Sequence, residues 1–190
     1  PRYLSGLAAG AMTDSNKIGY VAAFPIPEVI RGINAFAAGV NEVNPDATVE
    51  VVWTFTWFGP EAETQAANAL LEKGADVLAQ HQDSTATGLA AEAAGAKWIS
   101  YNTAYGQDSA PEAFVTAPVW DWGPYYVDVV ESILDGTFTT ESYWGGMETG
   151  LVSLYDLSSD VPSETATLIA EKTEAIIDGT LEVAIVEEEF

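Results

Sequence analysis

The chain has no cysteine, a single histidine and only six lysines and arginines in 190 residues. Without cysteine there are no disulfides, no thiolate metal sites and no thiol nucleophile. Any Ser/His/Asp arrangement would have to be built around His81, and no Gly-x-Ser-x-Gly elbow supplies the serine. His81 and Asp83 stand two apart, yet no third or fourth metal ligand accompanies them, so the pair reads as a polar cleft wall and no metal is expected. Phosphate-cradling loops of the Gly-x-x-x-x-Gly-Lys or Gly-x-Gly-x-x-Gly kind are also missing. Hydrolytic and nucleotide-dependent chemistry are thereby disfavoured, and the expectation is a protein that is not an enzyme and carries no cofactor. No apolar run approaches the roughly 20 residues that span a bilayer.

The shortage of bases leaves 29 acids nearly unopposed, for a formal charge of −23. The acids are scattered through the chain, so they read as a solvated acidic surface, which repels phosphates and excludes a nucleic-acid partner. The start, Pro1-Arg2-Tyr3-Leu4, has neither an initiator Met nor a signal-peptide layout, as expected of a piece of a longer chain.

Punctuation by proline and glycine divides the rest. Tyr3 to Met12 is an Ala-rich helical piece. Apolar or β-branched runs at Lys17–Phe24, Thr48–Phe55, Asp76–Gln80, Lys97–Tyr101 and Ala113–Thr116 read as strands. Between them lie helices opened by Pro27 and Pro60, a third from about Thr85 to Ala94, and stops at Asn44-Pro45, Gly74 and Gly95. Strand and helix alternating at this spacing imply parallel pairing, hence an α/β doubly wound sheet. Two prolines, a glycine and two tryptophans between Ala117 and Pro124 mark a crossing out of that unit. Beyond it we expect a helix over Tyr125–Leu134, a hairpin or short strand pair around Gly145-Gly146, an amphipathic helix over Pro162–Ile177 and a frayed acidic end at Glu187–Glu189.

Three segments follow the expected strands with unusual chemistry: Phe55-Thr56-Trp57-Phe58, Gln80-His81-Gln82-Asp83 and Ser100-Tyr101-Asn102. Open α/β sheets bind small molecules at the carboxyl ends of their strands. Trp57, Phe58, Trp120 and Trp122 offer faces for a planar heterocycle, while Gln82, Asp83 and Asn102 offer donors and acceptors to its edge.

The runs Lys17-Ile18-Gly19-Tyr20-Val21, Gly32 through Gly39 to Val43-Asn44-Pro45-Asp46-Ala47, Gly74-Ala75-Asp76-Val77 and Tyr143-Trp144-Gly145-Gly146-Met147 together resemble the basic membrane protein family of ABC-transporter solute-binding lipoproteins, which includes purine nucleoside receptors. The resemblance covers about Tyr3 to Gly179. It implies a type I periplasmic-binding-protein-like lobe with remnants of a second. Residues 1–15 would end a missing amino-terminal lobe, 16–118 would form the ligand-binding carboxyl-terminal lobe, and 119–190 would return to the missing one, leaving apolar faces bare. Phe58 would match the family aromatic that stacks on the purine. Asn102 falls where nucleoside receptors have an Asp and Trp120 where they have a Lys, a departure that favours a free, adenine-like base over a nucleoside. The implied protein is extracytoplasmic, joins ABC permease subunits, and touches the membrane only through an upstream lipid anchor. A ligand sensor with the same pocket is the alternative.

One prediction needs only the charge. Self-repulsion among the acids weakens the fold at low salt and is screened at high salt, so the thermal midpoint should rise between about 0.05 M and about 2 M KCl as the screening length shrinks below a few ångströms. Equal midpoints at both salts would remove charge repulsion from the account.

Overall fold

A computed structural model describes residues 1–188. Five parallel strands form the central sheet: β1 (Lys17–Ala22), β2 (Thr48–Trp53), β3 (Val77–Gln80), β4 (Lys97–Ile99) and β5 (Phe114–Thr116), in the spatial order β2-β1-β3-β4-β5. The order reverses between β1 and β3, which opens a crevice above their carboxyl ends. In β1 only Lys17 is exposed, and β3 is buried throughout. Both are covered on two faces, which is why their sequences read as unbroken apolar runs.

Alternate residues feed two cores. Ile18, Tyr20, Ala22, Val77, Ala79, Ile99 and Val115 pack with α1 (Arg2–Met12) and α2 (Pro27–Val43) on one side. Val21, Leu78, Trp98 and Phe114 pack with α3 (Pro60–Glu72) and α4 (Ala86–Ala94) on the other. Both α2 and α3 begin with proline at a first-turn position, where its missing N–H costs nothing. A one-turn helix, α5 (Gly106–Ser109), lies between β4 and β5.

Helix α1 packs on the sheet unit. Leu4, Leu7 and Ala8 are fully buried in one cluster with Tyr20 and Phe36. Close approach makes this possible: a Cβ on Gly6 would lie 2.0 Å from the Phe36 carbonyl oxygen, and one on Gly39 would lie 2.0 Å from that of Tyr3. The two helix backbones touch where neither has a side chain.

From β5 the chain passes through Ala117 into β6 (Pro118–Trp120), which pairs antiparallel with β7 (Val152–Leu154) as a two-stranded ribbon. Between them the chain makes an excursion containing α6 (Gly123–Leu134), a helix with no buried residue. Tyr126, Val127, Val130, Ile133 and Leu134 of α6 are all exposed. The hairpin expected around Gly145-Gly146 does not form. Gly146 is extended, at φ −108°, and the chain instead makes a 3₁₀ turn at Met147–Thr149 and reverses at Gly150, φ +76°. The last helix, α7 (Ser163–Ile177), packs back on α1, with Val161 and Ile169 in the first core. The return segment thus covers the sheet unit. Its acidic end is docked as far as it is described: Glu187 pairs with Arg31 at 3.2 Å, and Asn34 Nδ2 donates to the carbonyls of Val186 and Glu188. Glu189, part of the end expected to fray, lies outside the described residues.

The contact between α1 and α2 leaves no room for a methyl group, so Gly39→Ala should lower stability by about 1–3 kcal/mol, the usual cost of overpacking. Ala38→Ser, one residue away on the exposed face, should stay within about 0.5 kcal/mol. Urea denaturation midpoints of the two variants check this.

Candidate ligand-binding site at the carboxyl edge of the sheet

Rings from the loops after four neighbouring strands line the carboxyl edge, with Trp57 of the β2 loop reaching across to stand between Phe24 and His81. Phe55 and Trp57 follow β2, Phe24 follows β1, His81 follows β3 and Tyr101 follows β4. Successive centroids lie 6.3 Å apart from Phe55 to Phe24, 5.2 Å from Phe24 to Trp57, 6.5 Å from Trp57 to His81 and 4.5 Å from His81 to Tyr101. Tyr101 adjoins Asn102, whose Oδ1 accepts the Trp120 indole N–H at 2.7 Å. Trp120 stacks on Trp122 at 5.4 Å and 10°, and Trp122 stacks on Tyr126 at 6.2 Å. The topology thus brings Trp57, Phe58, Asp83, Asn102, Trp120 and Trp122 to one edge. A cavity of about 380 Å³ opens beside Asn102 and Trp120, walled in part by Arg2, Glu28, His81, Tyr101, Trp144 and Glu148, whereas Trp57, Phe58, Asp83 and Trp122 do not line it.

Backbone geometry at this edge is costly. Phe55 and Asn102 hold left-handed conformations, φ +55° and +59°. Asn tolerates that region, but for a Phe it is a strained outlier of the sort found at ligand-binding sites.

The buried polar groups beneath the edge hold the loops. Gln80 Oε1 accepts the Trp98 indole N–H at 2.9 Å, and Gln80 Nε2 donates to the carbonyls of Gln82 and Ser84. Glu63, fully buried, accepts from the Gly59 amide N–H at 2.8 Å and from the Ser84 hydroxyl. Gln82, expected among the ligand contacts, is also fully buried. Its Nε2 donates to the Thr54 hydroxyl and its Oε1 accepts from the His81 amide, so it spends its hydrogen bonds on tying β2 to β3. Trp122, expected as a stacking face for the ligand, is instead stacked on by Trp120 and Tyr126. Phe58, at 66% exposed, Trp57, at 41%, and Trp120, at 42%, keep open surface, and Asp83 is exposed with its amide N–H donated to the Trp57 carbonyl at 3.0 Å.

Arg2 and Phe24 were not singled out as site residues from the sequence, while Tyr101 and Trp144 entered only within the segments Ser100-Tyr101-Asn102 and Tyr143-Trp144-Gly145-Gly146-Met147. Arg2 Nη1 donates to the Tyr20 hydroxyl at 2.9 Å and to the Gln80 carbonyl at 3.2 Å, and its guanidinium lies 4.4 Å from the Tyr101 ring centroid. Arg31 stacks on Trp144 at 5.0 Å. The available signal was scarcity: a base in so acidic a chain needs a reason. Burial pushes the Tyr20 phenol up to about 12, against the opposing charge of Arg2. Burial also holds the His81 imidazole well below its usual value, with the charges of Arg2 and Arg31 acting in the same direction. No group of three or more His, Cys, Asp or Glu that could hold a metal ion occurs among the described residues.

A pH dependence follows. His81 titrates lower when folded, so the unfolded chain takes up its proton first, and stability present above pH 6.5 is lost as pH falls below that value. His81→Gln should remove this part of the acid destabilisation while leaving the carboxylate-driven loss below about pH 4.5 in place. Thermal midpoints of both proteins between those limits are the measurement, and parallel curves would clear His81 of the effect.

A family model described as ABC transporter substrate-binding protein PnrA-like matches residues 1–186. The chain is 45% identical over 183 residues to a putative ABC transporter glucose-binding protein of Haloferax volcanii, covering 96% of this chain and 46% of that protein. It is 41% identical over 181 residues to a purine-binding protein of Brucella abortus, covering 93% of this chain and 49% of that one. It therefore spans about half the length of the curated relatives it matches. Among solved structures, an ABC transporter system solute-binding protein from Conexibacter woesei matches with a TM-score of 0.79 at 26% identity, over 96% of this chain and 62% of that chain. The five-stranded parallel sheet is thus a periplasmic-binding-protein-like fold. Family model, identity and fold agree: the chain belongs to the PnrA-like family of ABC transporter substrate-binding proteins.

Proposed function

We propose that the protein is the extracytoplasmic recognition component of an ABC importer, that it binds a purine base in a cleft above the carboxyl edge of this sheet, and that it delivers the base to membrane permease subunits. The observation that carries this reading is the row of rings from Phe55 to Tyr101 and on to Trp120. A flat, uncharged heterocycle gains about 1–3 kcal/mol for each aromatic face it stacks on. Phe58, Trp57 and Trp120 are the faces we assign to the ligand, and Asp83 and Asn102 the polar contacts to its rim. Closure over the base would exclude water and sharpen each of those contacts. A lipid anchor upstream is part of the same proposal and rests on the family resemblance.

The two relatives carry different ligand names, glucose and purine. Purine is favoured here because ring faces outnumber the polar side chains at the edge. A sugar needs the reverse, since each of its hydroxyls calls for a partner. A thermal-shift titration of the full-length protein with purine bases and with glucose tests this. Purines should raise the midpoint, and Phe58→Ala should weaken binding by about 1–3 kcal/mol. A glucose shift with no purine shift would replace the proposal with a sugar receptor.

A further inference from the structure

Among the described residues a positive φ falls on five glycines, on Asn16 and Asn102, and on a single bulky residue, Phe55 at +55°. Glycine has no Cβ to clash in that region and asparagine tolerates it, so the other positions carry residue types suited to the backbone they adopt. Phe55 does not.

The loop imposes this conformation. The Thr54 and Phe55 amides continue the β1–β2 pairing by donating to the carbonyls of Ala22 and Ala23 at 2.8 and 2.9 Å. The Thr54 hydroxyl accepts from Gln82 Nε2 at 2.8 Å, and the Thr56 hydroxyl donates to the Phe58 carbonyl at 3.0 Å. None of these bonds uses the phenyl ring. Residue 55 is therefore held in the left-handed region by its neighbours, the condition under which a strained residue persists.

The ring gains little from the chain in return. Phe55 is 63% exposed, and its one ring neighbour among the described residues is Phe24, edge-on at 6.3 Å. A lone exposed phenylalanine needs no reason. One on a strained backbone is disfavoured twice, since asparagine would relieve the strain and forfeit little packing. Nor does Phe55 stand alone: Trp57 and Phe58 are exposed as well, so three open rings fall within four residues. They form a bank on the β2 side of the edge, outside the cavity beside Asn102 and Trp120.

Resting on the purine reading above, we propose that Phe55 is a further ligand-contact residue, whose ring packs on the bound base beside Phe58 and Trp57, and that the β2 loop carries a strained backbone to present it. The contact that the ring lacks in the free protein is made in the complex. Stability and affinity then oppose each other at this position, as they do where a site is kept strained for function. A ring that served only packing would move both in the same direction or leave affinity alone.

The test uses the full-length protein and whichever of adenine, guanine and hypoxanthine binds it. Phe55→Asn removes ring and strain together, so the unliganded thermal midpoint should rise by roughly 1–3 °C while the base binds at least about fivefold more weakly, the loss of one stacking face. Phe55→Tyr keeps both ring and strain and should leave both readings near those of the natural protein. A lower unliganded midpoint in Phe55→Asn means that the ring packs against the rest of the longer protein, and it overturns the proposal. Unchanged affinity in Phe55→Asn overturns it too, and in either case the purine receptor stands. If none of the three bases binds the natural protein, the purine reading itself falls and this assignment falls with it.

Discussion

A single buried amide organises the ligand edge. Gln80 ends β3, lies 1% exposed, and must find partners for both halves of its side chain without water. It meets that demand by accepting from Trp98 on the neighbouring strand and donating to the carbonyls of Gln82 and Ser84 in its own loop. The loop is thereby bent back over the strand it left, and Ser84 reaches Glu63, which holds Gly59 at the start of α3. Arg2 caps the arrangement through the Gln80 carbonyl. Losing Gln80 would leave several buried groups unpaired at once, which is costlier than the loss of the bonds themselves.

This polar underside explains how rings can stand so close together on top. Aromatic side chains at loop positions lose rotamer freedom when ordered, and nothing in their own packing fixes the backbone that carries them. Here Gln82 pins the β2 loop through Thr54, and Asp83 pins it again through the Trp57 carbonyl. The loops carrying the rings are held by hydrogen bonds made below them, and Trp57, Phe58 and Trp120 keep exposed surface above.

The strands and helices were legible because proline, glycine and apolar runs fall where the chain turns. Pro27 and Pro60 open α2 and α3, and the runs from Lys17 and Asp76 contain β1 and β3. Parallel topology puts Trp57, Asp83 and Asn102 in the loops after β2, β3 and β4, whereas Trp120 reaches that edge through the antiparallel ribbon. Three features were hidden for separate reasons. The packing of α1 depends on glycines at Gly6 and Gly39 that meet across a tertiary contact, which no local pattern reveals. The pairing of β7 with β6 joins residues more than thirty positions apart, while Gly145-Gly146 offered a nearer but false turn. Gln82 and Asp83 look alike as loop polars, and only burial separates the strut from the exposed side chain.

The ribbon of β6 and β7 has a mechanical consequence. Trp120 stands opposite Val152 in its register, at the root of the excursion that carries α6. Two hydrogen-bonded strands resist shear far better than one, so the indole we assign to the ligand and the root of the excursion are held by one and the same ribbon.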